Sequence, residues 1–153
     1  MTYLLERRQL IRADLERVFT FFKQPGNLQV LTPPWLGFRV VASSTPSVRA
    51  GTRIRYRLRL AGIPLRWESI IDEFDEGRRF TDTMLSGPYR SWRHLHEFHA
   101  APGGVEMLDR VDYALPCGPL GQLVHAACVR RQLQAIFDYR AATIARIFDG
   151  AEG

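Results

Sequence analysis

Lysine is almost absent from this sequence: of its 21 lysines and arginines only Lys23 is a lysine. A balance so tilted toward arginine is explained more economically by a GC-rich genome than by a function. The net charge of +5 still permits contact with anionic partners, since net charge bears on encounter and solubility rather than on fold. Cysteine is scarce as well. Cys117 and Cys128 are too few for a disulfide framework and lack the paired spacing of a zinc site, so they read as free thiols of a reducing cytoplasm. No apolar run approaches the ~20 residues of a membrane-spanning helix. No basic segment leads into an apolar one at Met1-Thr2-Tyr3, so neither membrane integration nor export is expected. Repeats, low-complexity tracts and linkers are missing too, which points to one domain over residues 1–150.

What is present is a sequence of short, well-punctuated elements. Tyr3 to Arg12 reads as a first strand. Asp14 offers a helix N-cap, and Leu15, Val18, Phe19 and Phe22 follow at helical spacing until Gln24-Pro25-Gly26. A further helical turn at Asn27–Leu31 runs into Thr32-Pro33-Pro34-Trp35-Leu36-Gly37. There two prolines predict a stiff, partly extended loop carrying Trp35, which either plugs the core or lines the mouth of a cavity.

The clearest periodicity is Thr52–Leu60, where Ile54, Tyr56, Leu58 and Leu60 alternate with Arg53, Arg55, Arg57 and Arg59. Such a strand has one buried and one wet face, which excludes a fully buried parallel sheet. Phe38–Ser43 precedes it. Leu65–Phe74, Arg79–Leu85, Tyr89–His99 and Val105–Tyr113 follow, separated by turns at Ala61-Gly62, Asp75-Glu76-Gly77 and Pro102-Gly103-Gly104. From Pro119 to about Phe148 a helical pattern runs unbroken, with Leu123, Ala127, Leu133, Phe137 and Ile144 in its apolar stripe. This order predicts an α+β fold, a curved seven-stranded antiparallel sheet closed by one long C-terminal helix, with two short helices between strands 1 and 2.

Alternation places Trp92, His94, His96 and Phe98 on the inward face of one strand, Phe80, Asp82 and Met84 on that of the strand before, and Met107, Asp109, Val111 and Tyr113 on that of the strand after. Strands lie about 4.8 Å apart, so Asp82, His94, His96 and Asp109 fall within reach of one another as a buried network. Such a network either satisfies itself and fixes the core or forms the polar end of a cavity walled by Tyr56, Leu58, Trp67, Phe80 and Trp92; the two readings are compatible. Catalysis by His94 and Asp109 as an acid–base pair is the alternative. The His-x-His spacing also suits a divalent ion, but no third histidine joins it, and neither metal nor other cofactor is expected. His125 and Cys128, three apart on the helix, read as packing residues. The arginine row reads as a solvated outer face, with docking to an anionic membrane as its sharper alternative; nucleic acid is not expected, because Tyr56 lies on the opposite face.

Several strings in this order resemble the START-like, Bet v 1-like helix-grip superfamily (SRPBCC), in its bacterial polyketide cyclase/dehydrase-like branch. They are Val18-Phe19 with Pro25-Gly26-Asn27-Leu28, Leu31–Phe38, Gly87-Pro88-Tyr89-Arg90, Trp92–Phe98 and Asp109–Tyr113. Asp14 stands where the family often has proline, which preserves helix initiation. The resemblance implies a helix-grip fold with a cavity between sheet and C-terminal helix. It also implies a lipid-, quinone- or polyketide-like ligand, a cyclase or dehydratase as the alternative, and a possible epimerase-like protein partner. The residues assigned to ligand binding are Trp35, Tyr56, Leu58, Trp67, Phe80, Asp82, Met84, Trp92, His94, His96, Phe98, Asp109, Val111 and Tyr113, with Leu123, Ala127 and Phe137 from the helix.

Overall fold

In the computed structural model, residues 1–60 and 62–149 are described. Seven strands form one antiparallel sheet: β1 (Tyr3–Ile11), β2 (Arg39–Ser43), β3 (Arg53–Leu60), β4 (Ile63–Asp75), β5 (Arg79–Ser86), β6 (Ser91–Ala101) and β7 (Gly104–Ala114). Their spatial order is β1-β7-β6-β5-β4-β3-β2, a meander closed by the first strand pairing with the last. Between β1 and β2 lie α1 (Leu15–Phe22), α2 (Pro25–Val30) and a 3-10 turn (Pro34–Leu36). The C-terminal segment comprises α3 (Gly118–Val124), a π-helical turn (His125–Val129) and α4 (Arg130–Asp149).

The period-two strand behaves as its sequence requires: Ile54, Tyr56 and Leu58 are buried while the four arginines are exposed. Asp14 caps α1 by accepting from the Arg17 amide at 2.8 Å, which turns Val18, Phe19 and Phe22 into the core. Register shifts at Val40/Ala42, Glu68/Ser69 and Ile71/Glu73 bend the sheet, because an extra residue on one strand increases local twist. The inner face so made receives Leu133, Phe137, Ile144 and Phe148 of α4. At the β6–β7 turn Gly104 has φ 151°, and a Cβ there would sit 2.0 Å from the Ile11 carbonyl oxygen. Only glycine lets that hairpin close over the end of β1.

Three expectations are corrected. The Pro33-Pro34 segment is a 3-10 turn rather than an extended loop, because Pro34 sits at its first position, where the missing N–H costs nothing. Trp35 neither plugs the core nor lines the cavity: it is 60% exposed and meets the Tyr139 ring edge-on at 5.9 Å. The C-terminal helix is not uniform. Its π turn carries the buried His125, which stacks on Tyr3 at 3.6 Å and shares a 2.7 Å hydrogen bond with Tyr113. With α3 offset in this way, Leu123, Ala127 and Cys128 face outward, and Leu123 is 67% exposed.

Candidate functional site

The inward faces of β5, β6 and β7 bring Asp82, His94, His96 and Asp109 together, as their alternation predicts. Directly opposed pairs in the register are Asp82 with His94 and His96 with Asp109. The short hydrogen bonds run diagonally instead. His94 Nε2 lies 2.8 Å from Asp109 Oδ1, and His96 Nε2 lies 2.8 Å from Asp82 Oδ2. A carboxylate only accepts, so both Nε2 atoms carry protons and donate. That leaves His94 Nδ1 as a free lone pair, its nearest carboxylate oxygen being Asp82 Oδ2 at 4.0 Å.

A fifth member, absent from the sequence reading, is Arg140 of α4. Its Nε donates to Asp109 Oδ2 at 3.0 Å and its Nη2 to Oδ1 at 3.3 Å, a two-pronged grip on one carboxylate. The guanidinium also lies over the Phe22 ring at 5.5 Å and is buried. The signal was in the sequence: Leu133, Phe137, Arg140, Ile144 and Phe148 form one helical stripe, and a charged residue in a buried stripe demands a partner across the core.

Burial and neighbouring charge act differently on the two imidazoles. Two carboxylates face one guanidinium, and one further proton makes the cluster neutral. Burial pulls the His94 imidazole down, to about 4, and the neighbouring His96 pushes the same way, while Asp109 opposes both. For His96 burial also favours the neutral form, but hydrogen bonds to Asp109 and Asp82 outweigh it and raise its pKa. Burial works against the charge of Asp109, yet Arg140 holds its carboxyl well below the usual range. His94 is therefore the neutral ring, and His96, whose Nδ1 lies 3.4 Å from both Asp109 Oδ1 and Arg140 Nη2, is the one of the pair that holds a proton more readily. Asp82, His94 and His96 offer donor atoms within 4.8 Å of one another. The imidazoles, however, stack face to face at 3.7 Å with 26° between their planes. Both Nε2 atoms are turned to carboxylates, and His96 Nδ1 already lies 3.4 Å from Asp109 Oδ1 and from Arg140 Nη2, so an ion would have to displace contacts within the cluster.

Asp82 and His94 form the polar end of a cavity of about 150 Å³ between the sheet and α4. Of the residues expected there, Tyr56, Leu58, Trp67, Trp92 and Phe137 line it. Trp67 and Trp92 stand perpendicular at 5.2 Å, and Trp67 Nε1 donates to Ser69 Oγ at 2.8 Å, so the indole has no unmet donor. Leu31, Leu36, Phe38, Tyr89 and Ile136 add to the apolar wall and were not among the residues assigned to ligand binding from the sequence. Phe80 and His96 border an adjoining void of about 40 Å³, which shares Asp82 and Arg140 with the larger one. The rest of the expected set lies elsewhere. Phe98 packs among Phe19, Phe22 and Phe80, and Val111 and Tyr113 belong to a second core cluster with Leu133. Asp109 stands behind the histidines, half-buried Met84 packs near Gly87, and Trp35, Leu123 and Ala127 do not reach the cavity.

Solved structures share this fold. TTHA0849 from Thermus thermophilus superposes with a TM-score of 0.74 at 21% identity over 100% of both chains. Ara h 8.0201 does so with 0.65 at 18%, over 94% of this chain and 98% of the other. This is the helix-grip fold. A norcoclaurine synthase from Thalictrum, solved with a transition-state analogue, has the same fold with a TM-score of 0.72 at 12% identity, over 100% of this chain and 98% of that one. The sequence itself matches no protein-family model and no curated protein. The helix-grip frame explains why the site sits where it does: a curved sheet and one helix touch at their ends and leave the space between them to side chains.

Proposed function

We propose that the protein binds a small, mostly apolar molecule with one hydroxyl-like end in the sheet–helix cavity and holds it without chemical change. The observation that carries this reading is the unpartnered Nδ1 of His94, on a side chain only 9% exposed, at the polar end of an apolar recess. This nitrogen opens to the recess, since among the described residues only Thr81 Oγ1 is a fully buried side-chain polar atom without a partner, and a ligand hydroxyl that enters the recess supplies its donor. Asp82, likewise an acceptor, strengthens the preference for a donor. A cavity of about 150 Å³ is the size that holds one benzene-like ring. Ligands of quinone or polyketide size therefore extend past the half-buried Thr32, Leu60 and Gln132 of its lining. Carriage is favoured over cyclase or dehydratase chemistry because an imidazole held at about 4 is a good acceptor but a poor base near neutrality.

Calorimetric titration with 2-naphthol and with 2-methoxynaphthalene, which lacks the donor, tests the reading. Naphthol is expected to bind more tightly, and His94→Ala to remove that preference while Arg55→Ala leaves it. Equal effects of the two substitutions, or equal affinity for both probes, sink it. Native mass spectrometry of protein purified from a bacterial host, followed by solvent extraction, identifies any resident ligand.

A further inference from the structure

We infer that the end of the β3–β4 hairpin docks on an anionic bilayer, with four arginines of its outer face meeting the headgroups and Ile63, near the tip on the opposite face, entering the interface. In register, Arg57 stands directly between Arg39 of β2 and Arg66 of β4, and Arg59 lies nearer the tip beside Pro64. These four line one shallow surface depression with Gly37, Pro64 and Leu65. Like charges directly opposed across a sheet are destabilising. Among the described residues none of the four is ion-paired, whereas Arg53, further along the same row, has Glu68 at 3.7 Å. The fold thus holds an array of fixed positive charge that an external anionic surface complements.

The apolar part lies at the same end. Ile63 is 62% exposed and is the register partner of Leu60, which lines the cavity. The turn bearing exposed Trp35 leads directly into Gly37, where a Cβ would sit 3.9 Å from Arg59 Cγ. A basic row on one face beside an apolar tip suits a peripheral protein lying on an anionic membrane. A single-stranded nucleic acid needs aromatic rings interleaved with the basic groups, and the strand positions between these arginines carry none on that face. The purpose of docking, transfer of an apolar ligand between bilayer and cavity, rests on the binding function proposed above. The docking itself does not.

Sedimentation with phosphatidylcholine vesicles containing about a third phosphatidylglycerol tests it at physiological ionic strength. The protein is expected to pellet with these vesicles, to leave them at high salt, and to ignore pure phosphatidylcholine. Arg57→Gln/Arg66→Gln should weaken partition about thirtyfold and Ile63→Ser severalfold. Arg93→Gln, whose arginine is paired with Glu73 at 3.2 Å, should change nothing. The double variant should melt at or above the wild-type temperature, since it removes like-charge repulsion. Equal binding to uncharged vesicles, wild-type binding by the double variant, or its melting at a lower temperature overturns the inference. So does capture of a single-stranded oligonucleotide but not of vesicles through the same arginines. His94→Ala should sediment as wild type, and Arg57→Gln/Arg66→Gln should bind naphthol as wild type, so the two proposals fail separately.

Discussion

His96 and Asp109 face each other across β6 and β7, yet the 2.8 Å hydrogen bond to Asp109 comes from His94, one rung away. Arg140 approaches Asp109 from α4 and occupies its second oxygen, so the carboxylate serves the neighbouring imidazole and His96 turns to Asp82. The diagonal arrangement is what separates the two histidines chemically.

Arg140→Met should destabilise the fold by about 3–5 kcal/mol, because it leaves a buried carboxylate without its cation. Arg140→Met combined with Asp109→Asn should recover much of that loss. A urea-unfolding double-mutant cycle measures both, and strictly additive losses would contradict the pairing.

The histidines give opposite pH dependences. His94 has a depressed pKa in the fold, so between its unfolded value near 6.5 and about 4 the unfolded chain binds the extra proton. Its contribution is complete above that window and declines as pH falls through it, by about 3 kcal/mol in total. His96 is raised, so its contribution is complete below its unfolded value and is lost as pH rises through the folded one. Replacing His94 with Asn should therefore flatten the loss of stability between pH 6.5 and about 4. Parallel curves for variant and wild type would refute the assignment.

Tyr113→Phe removes the 2.7 Å partner of His125 and leaves the Tyr3 stacking in place. A loss of about 1 kcal/mol is expected. Leu123→Gln, on the exposed side of α3, should stay within about 0.5 kcal/mol of wild type. If thermal unfolding ranks these two in the reverse order, the outward orientation of α3 is wrong.

Gly104→Ala should cost more than about 2 kcal/mol, since its Cβ would collide with the Ile11 carbonyl and its backbone conformation is strained for alanine. Gly103→Ala probes the same turn at a position whose φ of 89° also strains alanine but where a Cβ meets only the Leu10 side chain at 3.9 Å, so it isolates backbone strain from the collision. Denaturant midpoints should separate the two variants clearly.

Local periodicity made the sheet readable, and with it half of the site. Alternation on β5, β6 and β7 depends only on the two-residue repeat of an extended chain. It placed Asp82, His94, His96 and Asp109 on one face before any contact was known. The same logic separated Tyr56 and Leu58 from the arginines. It failed on the C-terminal segment, where a single extra residue per turn at His125–Val129 rotates α3 relative to α4. A helical wheel drawn through a π turn assigns Leu123 and Ala127 to the wrong side. Nothing in the local pattern marks that turn, and the residues that His125 meets there, Tyr3 and Tyr113, lie on β1 and β7, remote from it in the chain.

By itself, then, the sequence determined the order of elements, the inward face of each strand and the set of ionisable groups that the strands bring into the core, all of which follow from repeats a few residues long. The tertiary structure alone decided which carboxylate each histidine holds, that Arg140 joins them, and which ring stays neutral. Those outcomes turn on ångström-scale distances between elements remote in the chain, and on how completely burial strips water from each group.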